Sequence, residues 1–124
     1  MTEIATISPH AAMIYLMVAV SAVDRDMGDA ELRRIGDIAQ AHPAFAGFEI
    51  QRLIPVAQDC AAILQDDEGL SALLGLAAEA LPQALRPTAF ALALEIAEAD
   101  GRELPEENRI LTLIADALGV AWPK

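Results

Sequence analysis

The sequence predicts an all-α protein: a single domain, residues 1–124, in which about six helices form a bundle of two pseudo-symmetric halves. Apolar residues recur at helical spacing along the chain, and no alternating pattern typical of a strand persists. Glycine and proline mark the points where the helical spacing breaks. A unit of helix, acidic turn and helix also occurs twice, at an offset of 76 positions that relates Asp24 to Asp100. Such a repeat is typical of a domain built from two similar halves.

Residues with known capping preferences define the first two helices. Ser8-Pro9 places a serine at the N-cap and a proline at the first helical position. The helix that follows runs to about Asp24 and is apolar on nearly every face, which predicts a central position in the bundle. The second helix spans about 29–41 and ends at His42-Pro43, because the residue before a proline disfavours helix.

The middle of the chain carries two further helices. The third is predicted from an apolar stripe over 50–64 that consists of Ile50, Leu53, Ile54, Ala57, Ala61 and Leu64. Pro55 within this stripe predicts either a kink or two abutting helices. A polar break follows, in which Asp67 is a candidate cap for a fourth helix over about 68–81.

The last two helices are predicted over about 87–99 and 105–118, with Gly119 as a C-terminal cap. The tail over 120–124 is expected to place Trp122 against the bundle. Nine apolar residues are expected in the core: Leu16, Val20, Ile35, Ile38, Leu53, Leu92, Ile96, Leu111 and Ile114.

Charge limits the classes of partner. The chain has 19 acidic and 8 basic residues, a formal net charge of −11. This balance argues against nucleic acid, because phosphate binding requires Lys and Arg, and it disfavours anionic lipid surfaces. It is compatible with cations or with a basic protein partner, while solubility alone also explains an acidic surface.

The location predicted from the sequence is the cytoplasm. Cys60 is the only cysteine, so the chain forms no internal disulfide and a reducing compartment fits best. No signal peptide is apparent. The longest uncharged apolar run, 11–23, is shorter than the roughly 20 residues that a transmembrane helix needs.

The repeated acidic turns admit two interpretations. If Gly28 and Leu104 are N-caps, Glu31 and Glu107 occupy the third helical position, where a Glu reaches back to the N-cap backbone N–H. Alternatively, the acids of the two turns, whose other members are Asp24 and Asp100, coordinate a hard divalent cation. The two aspartates need an explanation of their own, because an acid at a helix C-terminus is unfavourable. Solvation, pairing with the N-terminus of the next helix and coordination of a cation each provide one.

Other familiar sites are not indicated. The first turn begins like an EF-hand loop, but Asp29 stands where the glycine should be and Ile35 where the glutamate should be. His10 and His42 have no second His or Cys at ligand spacing, so a zinc site is not expected. Cys60 is expected to be a packed thiol. The serines and glycines form neither a nucleophile elbow nor a phosphate loop.

The motif resembles that of the tellurite-resistance TerB-like family. The stretch 99–107, followed by a helix that ends at Leu118-Gly119-Val120, carries the resemblance, and 22–31 is a similar first copy. Arg25 departs from the glycine usual after the first Asp, and Leu104 from the usual Ser, Thr or Asp cap. The resemblance implies an all-helical bundle of two halves and an acidic site for divalent metal, which here consists of Asp24, Glu31, Asp100 and Glu107.

The function expected from the sequence is therefore a non-enzymatic cytoplasmic domain that binds a divalent cation in a stress or tellurite response. Ca²⁺ or Mg²⁺ is favoured over Zn²⁺, because carboxylate oxygens are hard ligands. A protein partner of unknown identity is also expected. The alternative is an acidic protein-interaction module without metal. A metal-dependent enzyme is the weakest hypothesis, because no residues form a pocket with a positioned base.

Overall fold

The computed structural model describes residues 7–22, 29–98 and 105–121, and confirms the all-α class. Within these residues there is no strand, and the helices alternate with short connections. The α-helices are α1 (Pro9–Ala22), α2 (Asp29–Ala41), α3 (Leu53–Leu64), α4 (Gly69–Ala80), α5 (Arg86–Glu98) and α6 (Pro105–Leu118). Single 3₁₀ turns form at Pro43–Phe45, Ile50–Arg52 and Gln83–Leu85.

Helix α1 is the centre of the bundle, as its sequence predicts. Eleven of its fourteen residues are buried, and it packs mainly against α5, α3 and α4, with further contacts to α2 and α6. The Oγ of Ser8 accepts a hydrogen bond from the backbone N–H of Ala11 at 3.0 Å, which confirms the predicted N-cap. The predicted end of this helix near Asp24 lies outside the described residues.

Helix α3 buries only part of the apolar stripe that the sequence predicts for it. Pro55 lies in its first turn, where a missing N–H costs nothing, so the 3₁₀ turn Ile50–Arg52 leads directly into the helix. The buried residues of α3 are Leu53, Ala57 and Cys60, whereas Ile54 is 54% exposed. The predicted stripe was wrong at Ile54, because α1 and α4, the helices that pack against α3, cover Leu53, Ala57 and Cys60 but leave Ile54 at the edge of that face.

The connection from α3 to α4 depends on a close approach of two backbone segments. Gly69, the first residue of α4, is buried, and a Cβ added to it would lie 1.9 Å from the carbonyl oxygen of Ile63. The predicted cap at Asp67 is wrong, since the N-cap residue is Glu68, which makes no side-chain capping bond. Its backbone N–H instead contacts Oδ1 of Asp66 at 3.5 Å.

The core follows the sequence pattern closely. Eight of the nine predicted core residues are buried, and the exception, Ile38, is half-buried against the same cluster. The prediction that Ile38 is fully buried is wrong, because α2 is a peripheral helix that has the core on one side only. Phe45, 2% exposed, is a large core residue that the periodicity did not indicate, because it belongs to a 3₁₀ turn.

Helix boundaries repeat at the offset seen in the sequence. Moving α1 and α2 forward by 76 positions gives 85–98 and 105–117, and the observed α5 and α6 differ from these ranges by one residue at most. Buried residues correspond as well, since Leu16 and Leu92 are both fully enclosed. Superposition of the two helix pairs stays a prediction.

Candidate functional site

The helix boundaries place two of the four predicted acids at equivalent positions. Because α2 begins at Asp29 and α6 at Pro105, Glu31 and Glu107 are each the third residue of their helix. The backbone N–H groups of that first turn lack helical partners and carry the positive end of the helix dipole. Both the capping and the cation interpretations use this position, so the backbone alone favours neither.

The other members of the predicted site are only partly described. Asp24 and Asp100 lie outside the described residues, in the segments that join α1 to α2 and α5 to α6. The side chain of Glu107 is outside them as well, while that of Glu31 is half-buried. Within the described part of the chain, no three His, Cys, Asp or Glu side chains are grouped closely enough to hold a metal ion. The four-residue cation site therefore stays a prediction.

A polar cavity of about 480 Å³ lies beside the start of α1. The ring of His10 stacks on Phe45, with centroids 5.6 Å apart, and contacts the edge of Phe48 at the same distance. Arg52, Glu49 and Asp59 also line the cavity, so it presents both signs of charge. No sequence pattern indicates this cluster, because its members come from α1, two 3₁₀ turns, the loop between those turns, and α3.

The two histidines have structural roles that explain their sequence context. Nδ1 of His42 accepts a hydrogen bond from the backbone N–H of Ala44 at 3.0 Å and caps the 3₁₀ turn that ends α2. His10 is held by the two phenylalanine rings. Each imidazole ring therefore has contacts that hold it in place within the fold.

Cys60 is a packed thiol, as predicted. Its Sγ is fully buried and donates to the carbonyl oxygen of Tyr15 at 3.6 Å. Burial raises the pKa of the thiol to about 12. Burial, followed by the nearby charges of Asp59 and Cys60, also raises the pKa of Tyr15. Both groups therefore stay protonated at neutral pH, and Cys60 is not an activated nucleophile.

An apolar groove separates α2 from α3, and the sequence did not predict it. Two adjoining cavities of about 540 and 320 Å³ share Leu32 and Ile54 and form what we name the α2–α3 groove. Its apolar walls include Val18, Leu32, Ile54, Ala57, Ala61 and Leu64. The signal for the groove was the number of apolar residues on α3, which exceeds what one buried face requires.

Exposed large apolar side chains concentrate at this groove. Among the described residues, three such side chains are exposed: Ile50 at 37%, Ile54 at 54% and Leu113 at 38%. Ile50 and Ile54 both line the α2–α3 groove, whereas Leu113 lies on α6. None of the described helices combines the length and apolar character required to cross a bilayer.

Comparison with known proteins gives one match that covers nearly the whole chain. The family model described as "Tellurite resistance protein TerB" matches residues 10–122. Its range includes all six helices except the first residue of α1, and contains both acidic turns. Neither the curated proteins nor the solved structures compared with the chain include a significant match.

Proposed function

The chain belongs to the TerB family of tellurite resistance proteins, and we propose that it is a non-enzymatic, cytoplasmic member that binds a divalent cation in a stress or tellurite response. The proposed ligands are Asp24, Glu31, Asp100 and Glu107. The observation that carries the proposal is that each half of the repeat combines a glutamate at the third helical position with an aspartate in the segment before it, because capping accounts for the glutamates but not for the aspartates.

The chemistry of the four acids fits a hard cation. Carboxylate oxygens are preferred by Ca²⁺ and Mg²⁺, and a bound ion would offset the charge of two aspartates close to helix C-termini. Each of the two inter-helix segments supplies one Asp, and each following helix supplies one Glu. If the two turns adjoin, a single ion takes ligands from both halves of the repeat.

The second candidate function is a protein-interaction module without metal. In that case Glu31 and Glu107 act only as capping residues, which their position at the third helical residue allows. The α2–α3 groove is the observation that favours this alternative, because exposed apolar surface flanked by polar residues is typical of protein-binding sites.

Thermal unfolding with and without Ca²⁺, Mg²⁺, Mn²⁺ or Zn²⁺ tests the cation proposal against a chelator-treated reference. An ion at 100 times its Kd stabilises the folded protein by about 2.7 kcal/mol, because it binds only that state. We expect an ion-dependent increase in the free energy of unfolding of the wild type, and the loss of this increase in the Asp24→Asn and Asp100→Asn variants. Asp37→Asn, which removes an exposed acid elsewhere on α2, should retain it.

The variants Glu31→Gln and Glu107→Gln distinguish a role in cation binding from a role in helix capping, because a glutamine at this position caps the helix as a glutamate does. If Glu31 and Glu107 are ligands, both variants lose the ion-dependent increase while their metal-free stability changes by only about 0.3–1 kcal/mol, the helix-dipole contribution. No stabilisation of the wild type by any of the four ions at millimolar concentration would contradict the proposal.

A further inference from the structure

We propose that the α2–α3 groove is a docking site for an amphipathic helix of a partner protein, with basic residues at the end of that helix that meets the α3–α4 turn. This proposal goes beyond the cation site and does not depend on it. The groove, its exposed isoleucines and the charges at its two ends carry the inference.

The dimensions of the groove match a helix. One wall is α3, whose twelve residues extend about 18 Å at 1.5 Å per residue. The opposite wall comes from α2, and Leu32 and Ile54 lie where the two cavities meet. A partner helix of three to four turns fills such a channel with residues at spacings of three and four, the usual pattern of helix-in-groove recognition.

Small residues on α3 give the groove its depth. Ala57 and Ala61 are one turn apart and line the larger cavity together with Val18 and Leu32. Ile54, on the same wall, is 54% exposed and stands at the junction of the two cavities. Ile54 is the most exposed large apolar side chain among the described residues, so burying it under a partner makes it the expected anchor.

Charges at the two ends of the groove differ, and this difference gives the partner helix a direction. At the Ile50 end, Asp37 and Arg33 both line the smaller cavity, so their charges offset one another. At the other end Gln65 lines the larger cavity, and the exposed acids 66–68 that follow it line a separate cavity at the α3–α4 turn. A basic segment on the partner is therefore attracted to the α3–α4 turn, and its apolar face fills the groove beside it.

The same charges argue against a second copy of this chain as the occupant. Each copy has a formal net charge of −11. A two-fold contact through the groove would bring two such charges together across one interface. The Coulomb energy of that contact is repulsive, whereas a basic partner makes it attractive.

The test uses a defined probe with the intact chain. A fluorescent peptide of about 15 residues, with leucines on one helical face and lysines clustered at one end, has the required chemistry. Anisotropy in chelator-containing buffer measures its affinity without any cation. We expect binding that weakens with added salt, and at least tenfold weaker binding to Ile54→Gln, as for loss of an interface anchor.

Two controls separate the groove from general attraction to an acidic protein. Leu113→Gln makes the same kind of change at an exposed apolar residue on α6, and it should bind the peptide as the wild type does. A peptide of identical composition with its leucines scrambled around the helix should bind at least tenfold more weakly. Circular dichroism checks that both protein variants are folded.

Two results would overturn the proposal. The first is equal affinity of the peptide for wild type and Ile54→Gln, which would mean that the groove is not the binding surface. The second is concentration-dependent dimerisation of the wild type in sedimentation equilibrium that Ile54→Gln abolishes, which would make a second copy the occupant. A result of either kind leaves the cation proposal unaffected, because the peptide is measured in chelator and the cation by thermal unfolding.

Discussion

The guanidinium of Arg86 donates from Nη1 to the carbonyl oxygen of Leu118 at 3.4 Å and thereby joins the start of α5 to the end of α6. Its Nη2 donates to Ala78 at 2.6 Å and its Nε to Leu81 at 3.1 Å. These carbonyls lie at or beside the C-terminal ends of α4 and α6, where backbone acceptors lack helical partners and the dipole is negative. One side chain thus satisfies acceptors at two helix ends.

Replacing Arg86 should therefore destabilise the bundle. We expect Arg86→Ala to lower the free energy of unfolding by roughly 1.5–3 kcal/mol, the range for hydrogen bonds to a charged group. Arg86→Lys should recover only part of this, because an ammonium has no planar fork that reaches three carbonyls. Denaturant unfolding measures both variants, and Arg109→Ala on the exposed side of α6 should change stability by less than about 0.5 kcal/mol. Equal stability of Arg86→Ala and the wild type would contradict this role.

The close approach at Gly69 predicts a large effect from a single methyl group. We expect Gly69→Ala to lower the free energy of unfolding by about 3 kcal/mol or more, because the added Cβ would lie 1.9 Å from a backbone oxygen that belongs to α3. Gly75→Ala, on the same helix with open space around the added Cβ, should instead stabilise by about 0.5–1 kcal/mol. Thermal unfolding of the two variants compares them directly, and effects of the same sign would disprove the backbone clash.

Core truncation should have the cost typical of an enclosed side chain. Leu92 is 2% exposed and belongs to α5, so Leu92→Ala should lower the free energy of unfolding by about 2–5 kcal/mol. Leu16→Ala on α1 should cost a similar amount. Leu113→Ala provides the matched control, because that leucine is 38% exposed and should lose about 0.5 kcal/mol at most. Similar losses at Leu92 and Leu113 would mean that the faces of α5 and α6 are assigned incorrectly.

The buried thiol predicts a loss of stability in alkali. The pKa of Cys60 is about 12 in the folded protein against an ordinary value of 9.0, so between these values the folded state holds a proton that the unfolded state has released. Its contribution is complete below pH 9 and is lost as the pH rises towards 12, with a slope of at most about 1.4 kcal/mol per pH unit. The raised pKa of Tyr15 acts in the same direction at higher pH.

Denaturant unfolding from pH 7 to pH 10.5 measures this effect. The stability of the wild type should fall relative to that of Cys60→Ala from about pH 9 upwards, because only the wild type has the thiol. Below that pH the difference between the two proteins should be constant. In the native state at neutral pH the thiol should also react slowly with alkylating reagents, since it is protonated and enclosed. Parallel pH profiles would show that the thiolate is accommodated in the fold.

Most of the fold could be predicted from the sequence, because residues next to each helix end determine where the helix begins or stops. Ser8-Pro9 and His42-Pro43 stand at the observed start of α1 and end of α2. The buried face of α3 could not be predicted, since its own apolar residues are not confined to one side. Only the positions of α1 and α4 decide which of these residues are buried. Phe45 escaped prediction because a 3₁₀ turn of three residues has no periodicity to detect.

The candidate sites show the same division between local and long-range information. The positions of Glu31 and Glu107 within their helices follow from neighbouring residues, and the structure has both at the predicted third position. The α2–α3 groove depends on how far apart the two helices lie, and no local sequence pattern predicts that distance. Ile54 belongs to the apolar stripe predicted for α3, although it is the most exposed large apolar residue among those described.

The enclosed position of α1 has a consequence for biosynthesis. This helix leaves the ribosome before α3, α4 and α5, the three helices that provide most of its cover. Until all three have been made, an uncharged segment that is apolar on nearly every side lacks part of its cover. We therefore expect the nascent chain to fold late and to engage chaperones through α1, because transiently exposed apolar surface of this kind promotes aggregation.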